Sequence, residues 1–264
     1  MRALSERLVY LRNLEEKKAS VLATIEEQGK LTDELKKQIE AVMTMVALED
    51  LYRPYRPKRR TRATIAKEKG LEPLAEILRA QATTRTIEEE ATAFVDAEKG
   101  VESVQDAIDG AKDILAEVYA DDADYRTKLR AMTKESGSLV AKAKDEEADS
   151  VYEMYYDFSE PIKKLVGHRI LAINRGEAEK FLTVKIEAPR QEILLWLVKQ
   201  IIGNMKHDSA SYLYEAITDS YDRLIAPSIE REIRNELTEK AEEGAIGVFG
   251  LLAVLAIYNA TYQD

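Results

Sequence analysis

Residues 181–187 read FLTVKIE, with Leu182, Val184 and Ile186 alternating with Thr183, Lys185 and Glu187. A period of two over a run rich in branched and aromatic residues predicts a short β-strand. A lone strand leaves its hydrogen-bonding groups unsatisfied, and two stretches offer a partner, 137–144 and 170–173. On either side the apolar period returns to that of a helix. After Pro189 comes Ile193-Leu194-Leu195-Trp196-Leu197-Val198, followed by helical patterns over 210–225 and 227–243. Upstream, Leu4, Leu8, Leu11, Leu14, Val21, Leu22 and Ile25 recur at helical spacing among Glu, Lys and Arg, and Gly29 suits the left-handed residue that ends such a helix. Thr32 and Ser103 are placed to cap further helices, Thr86 with Glu89 forms a capping box, and Pro73 suits a first turn. Another solvated helix is expected over 146–158. With only 11 Gly and 6 Pro in 264 residues, a chain of many short strands is excluded. The expected fold is mainly α, a multi-helix scaffold with one small β element near residues 181–187. Its first helical region spans 1–140 and carries a basic loop at 53–69. The second spans 141–264 and ends in an apolar helix.

Composition removes several functional classes. Cys is absent, so thiolate metal sites and disulfides are excluded, as a reducing cytoplasm would favour. With His168 and His207 the only histidines, a multi-histidine metal site is excluded too. No glycine-rich phosphate loop or nucleophile elbow occurs, and no nucleophile, base and oxyanion site assemble; neither catalysis nor a cofactor is expected. The opening MRALSERLVY has no apolar stretch of a signal peptide. Residues 245–258 are strongly apolar but too short for a typical span. They predict a helix buried in the fold or against a second copy of the chain, with no membrane partner.

The net charge of −10 opposes contact with nucleic acid over the whole surface, so such contact must be local. The segment 53–69, RPYRPKRRTRATIAKEK, holds eight basic residues against the single acid Glu68. Pro54 and Pro57 break helix there, and Tyr52 and Tyr55 flank the cations. Arg53, Arg56, Lys58, Arg59, Arg60 and Arg62 are the candidate phosphate contacts, with the tyrosines available to stack on bases. The competing reading has the same cations pairing with the acidic excess and bridging helices. His168, Arg169 and Arg175, near Gly176, are a second candidate, for an anion; a structural hydrogen-bonding role is the alternative. Asp121, Asp122 and Asp124 fit no Ca²⁺ loop and read as a helix cap. Between Asp145 and Glu160 lie seven acidic residues and no basic one, which reads as a solvated face or as a surface for a basic partner.

Three long blocks carry a family likeness: LEDLYRPYRPKRRTRATIAKEKGLEPLAEIL at 48–78, YYDFSEPIKKLVGHRILAINRGEAEKFLTVKI at 155–186, and DRLIAPSIEREIRNELTEKAEEGAI at 222–246. In order and spacing they resemble the N-terminal half of the bacterial transcription accessory protein (Tex) family. That resemblance implies a cytoplasmic, nucleic-acid-binding protein, related to a eukaryotic elongation factor, whose helical scaffold carries an RNase-H-like domain, helix-hairpin-helix motifs and an OB-fold RNA-binding module. The chain departs from that plan by starting past a preceding helical segment, by stopping before the RNase-H-like domain, and in its tail from Gly250. It therefore reads as a fragment or truncated member, expected to bind RNA or DNA weakly and to meet the transcription machinery. Failing that, it is a protein-interaction scaffold without a nucleic-acid contact of its own.

Overall fold

The computed structural model describes the backbone of residues 2–56 and 60–261 and the side chains of residues 5–56 and 60–245. Chain order is α1 (Arg2–Glu27), α2 (Asp33–Ala41), α3 (Met45–Tyr52), α4 (Arg62–Glu68), α5 (Glu72–Ala80), α6 (Ile87–Thr92), α7 (Val104–Asp121), α8 (Ala123–Ser136), β1 (Ser138–Ala143), β2 (Asp157–Pro161), α9 (Gly167–Ala178), β3 (Leu182–Glu187), α10 (Arg190–Ile201), α11 (Ser209–Asp219) and α12 (Ala226–Thr261). The protein is mainly α with a small β element. Thr32, Ser103 and Thr86 each cap the helix that follows, Thr86 through a full capping box with Glu89, and Gly29 closes α1 at φ 65°. Asp122 accepts from the Tyr125 N–H at 2.8 Å and so starts α8.

Two compact units form. The first is Met1–Thr127 with Trp196–Leu224, and the second is Lys128–Leu195 with Ile225–Asp264. In the first, α1–α3 bury Leu14, Val21, Ile25, Leu35, Ile39 and Leu48 together. Around α7, the helices α4, α5, α6 and α11 close over Ala107, Ile108, Ala111, Ile114 and Leu115. Gly110 permits that closeness, because a Cβ there would lie 2.3 Å from Leu71 Cδ1. Asp50 of α3 and Arg126 of α8 meet at 2.9 Å with their side chains 4% and 1% exposed, and Arg126 also reaches the Ala120 carbonyl. Trp196 is half-buried and stands edge-on to Tyr125.

In the second unit β1 is the middle of a three-stranded antiparallel sheet ordered β2-β1-β3. Of the two partners offered for the 181–187 strand, 137–144 is the one used; 170–173 lies inside α9. The helix expected over 146–158 does not form: a loop, a 3-10 turn at Glu153–Tyr155 and strand β2 occupy that stretch. A helix would stack like charges at Glu146/Asp149, Asp149/Glu153 and Glu153/Asp157, whereas the hairpin buries Tyr152 and Tyr155 and spreads the carboxylates. Residues 62–68, expected within a basic loop, form α4 because Thr61 and Thr64 build a reciprocal capping box. The break expected at 226 is absent. Ser220–Ile225 winds as a π-helix, and α12 continues through Pro227, whose missing N–H is tolerated in a first turn. The helix expected over 245–258 is part of α12, but its burial and self-association lie outside the described side chains.

Arg126→Met would remove the guanidinium that the buried Asp50 carboxylate meets. Chemical denaturation should then register a loss of about 3–5 kcal/mol, against about 1 kcal/mol or less for an exposed pair such as Arg79–Glu76.

Candidate nucleic-acid interface

The basic segment starts where α3 stops. Pro54 lacks the N–H that another helical turn requires, and Arg53–Tyr55 tightens into a 3-10 turn ending in a 3.4 Å bond from the Arg56 N–H to the Arg53 carbonyl. Gln28 at the end of α1 donates its side-chain amide to the Tyr55 carbonyl at 2.8 Å and fixes the turn from outside. Tyr52 and Tyr55 pack against the α1–α3 core, and Lys17 lies over the Tyr52 ring. The tyrosines are therefore in large part structural.

The six candidate phosphate contacts separate. Arg53 is half-buried and already engaged within the fold. Arg56 is exposed, with its guanidinium 3.7 Å from Glu49. Arg60 is also exposed and donates to Glu68 at 3.0 Å. Lys58 and Arg59 lie outside the described residues. Arg62 opens α4 and, with Lys69, lines a cleft of about 210 Å³ whose other charged groups are Asp106, Asp109 and Asp113 of α7. Burial holds the Asp113 carboxyl above the usual carboxylate range, against the lowering influence of Arg223 and Arg62. Three carboxyls beside Arg62 make that cleft a poor seat for a phosphate.

A larger cleft, of about 600 Å³, opens beside the turn. Lys30, Arg56 and Lys67 supply its cations, and Glu117, Asp121 and Asp122 at the end of α7 its anions. Lys30 was not marked by the basic run, because it follows Gly29 in a different segment and reaches the cleft only through folding. The second candidate is placed on α9. His168 and Arg175 are exposed about two turns apart, and Arg169 is bound to Glu160 at 2.6 Å. The other histidine, His207, takes the Ser209 N–H on Nδ1 at 3.1 Å and sets Nε2 2.9 Å from the Thr83 carbonyl. It clamps the loop before α11 to the loop before α6. Among the described residues no group of acids and histidines is arranged to hold a metal ion, and no helix is long and apolar enough to cross a membrane.

A mainly helical scaffold with a small antiparallel sheet, a proline-broken basic turn and a long charged final helix defines a protein class. The family model described as Tex central region-like matches residues 82–249, and the chain belongs to that family. Among curated proteins it is 46% identical over 252 residues to the uncharacterized protein YdcI of Bacillus subtilis, covering 94% of this chain and 35% of that protein. It is 38% identical to the transcriptional accessory protein Tex of Neisseria gonorrhoeae, covering 94% of this chain and 33% of that protein. A human relative, S1 RNA-binding domain-containing protein 1, is 30% identical, with 95% and 26% covered. The chain thus spans about a third of the length of its bacterial relatives.

A carboxyl whose folded pKa is raised contributes its full stability below the unfolded pKa and loses it as pH rises through the folded value. Asp113 is such a group. Asp113→Asn should therefore gain thermal stability relative to wild type on going from acidic to neutral pH, measured as the difference between melting curves across that range. A constant difference would contradict the assignment.

Proposed function

We propose that the chain is the non-catalytic helical scaffold portion of a Tex-family transcription accessory protein, and that it makes a weak, sequence-indifferent contact with single-stranded nucleic acid, RNA foremost, through the turn around Arg56 and Arg60. The observation that carries this reading is the state of those two arginines. Both are exposed, Arg56 at the end of the 3-10 turn that Pro54 and Gln28 fix and Arg60 just before the Thr61 cap, and their carboxylate partners are exchangeable surface partners. Exposed pairs are worth about 0–1 kcal/mol, so a phosphate can replace either carboxylate at small cost. Lys30 and Lys67 extend the cationic side of the adjoining cleft. The names of relatives, one a transcriptional accessory protein and one an S1 RNA-binding protein, agree with this reading. Such work belongs in the cytoplasm, beside the transcription machinery.

The non-catalytic part of the reading is supported by the one hydroxyl–imidazole contact described, His207 with Ser209. Ser209 is fully buried and the far ring nitrogen is occupied by Thr83, so neither group can meet a substrate. A second reading, a protein-interaction scaffold with no nucleic-acid contact, draws on the same two ion pairs: Arg56 and Arg60 each already have an anion.

A salt titration separates the two. With a fluorescein-labelled oligouridylate, four engaged cations would give a slope of log K against log[salt] of about −3. Arg56→Ala/Arg60→Ala should reduce its magnitude by on the order of one unit and leave the melting temperature nearly unchanged. The scaffold reading expects no binding at low salt and a lowered melting temperature in the double variant.

A further inference from the structure

The two edges of the small sheet are treated differently. Lys144 donates to the Phe181 carbonyl, so residues 181, 183, 185 and 187 of the β3 side turn their backbone groups to β1, and Val184 and Ile186 turn theirs outward. Two of these outward groups are taken by α12: the Ile186 N–H donates to Glu230 at 2.9 Å, and the Val184 carbonyl accepts from Arg234 at 3.4 Å. Arg234 is itself held by Glu177 and Asn174. Two side chains thus stand where a fourth strand would be.

Among the described residues β2 carries no such cover. Ala143 donates to the Tyr156 carbonyl and Ile162 to the Gly137 carbonyl, so Asp157, Ser159 and Pro161 direct their backbone groups away from β1. Asp157 and Ser159 have no backbone partner on that side among the described residues. The loop leading into this edge is pinned. Tyr152 and Tyr155 are buried, and the Tyr156 hydroxyl donates to the Ala148 carbonyl at 2.6 Å. On this fixed loop Val151 and Met154 are 85% and 74% exposed. The same stretch of chain carries Asp145, Glu146, Glu147, Asp149, Glu153 and Asp157, all exposed and none paired with a cation among the described residues.

We propose that the outer edge of β2, continued by Val151 and Met154, is a docking edge for an extended basic segment of a protein partner, which adds to the sheet as a strand. Charge selects this occupant. Six unpaired carboxylates repel a nucleic-acid backbone, and they equally repel the same edge of a second copy. An alternating Lys/Arg and apolar segment satisfies all three features at once: its backbone takes the Asp157 and Ser159 groups, its cations meet the carboxylates, and its apolar residues cover Val151 and Met154. The site is separate from the arginine turn and stands whether or not that turn binds nucleic acid.

The probe is a short fluorescein-labelled peptide alternating Lys and Val, titrated into the full chain at low salt. It is compared with a Glu/Val counterpart and with a Lys/Val peptide N-methylated at alternate residues. Anisotropy should report binding of the first peptide, none of the Glu/Val peptide, and at least about tenfold weaker binding of the N-methylated one, which keeps its charge but lacks edge hydrogen bonds. Amide resonances of Val151, Met154, Asp157 and Ser159 should shift. Ser159→Pro removes an outward N–H while sparing the β1 ladder, and should weaken binding about as much as N-methylation. If that variant does not fold, the N-methylated peptide decides alone. Equal binding of the methylated peptide, no binding of the Lys/Val peptide, shifts confined to other residues, or the same amides moved by an oligouridylate would each overturn the proposal.

Discussion

The buried pair of Asp50 and Arg126 is the contact on which the first unit's functional geometry rests. Asp50 lies three residues before the proline-broken turn begins at Arg53, and Arg126 sits in the first turns of α8, directly after the end of α7. Their bond joins the α1–α3 cluster to the α7–α8 junction. Each partner is close in sequence to a wall of the larger cleft, Asp50 to the Pro54–Arg56 turn and Arg126 to the acidic end of α7. A surface pair would not hold them, because solvent screening reduces such pairs to a marginal contribution. A pair this deeply buried must be satisfied, and the cost of separating it is what fixes the walls.

Charge in this protein is arranged rather than merely abundant. Arg56 and Arg60 lie exposed beside exchangeable carboxylates, while Arg234 and Glu230 are spent on the backbone of β3. Arg62 looks like its neighbours in the sequence, yet it opens a capped helix whose other wall carries three aspartates. The same residue type therefore serves recognition, edge covering and local neutralisation within one chain. Only its surroundings tell these roles apart.

Helices and caps were legible in the sequence because they depend on near neighbours. Thr32, Thr86 and Ser103 act within three residues of themselves, and the strand at 182–187 announced itself by its period. Strand β2 was not legible. Its alternation is weak, and its acidic run imitates a solvated helix until Tyr152 and Tyr155 find their buried places. The return of Trp196–Leu224 to the first unit, the approach of Lys30 to the arginine turn, and the capture of Arg169 by Glu160 are tertiary events without a local signal. Arg53, Arg56, Arg60 and Arg62 could be chosen from the sequence as a group, but their four different environments could not.

The covered edge of β3 also limits how copies of this protein can associate. High salt would screen the carboxylates along β2 and weaken the repulsion between two such edges. Each sheet would still offer a single open side, since Glu230 and Arg234 close the other. Two copies joined edge to edge would expose only closed sides, so sheet extension ends at a pair and cannot propagate into a fibre.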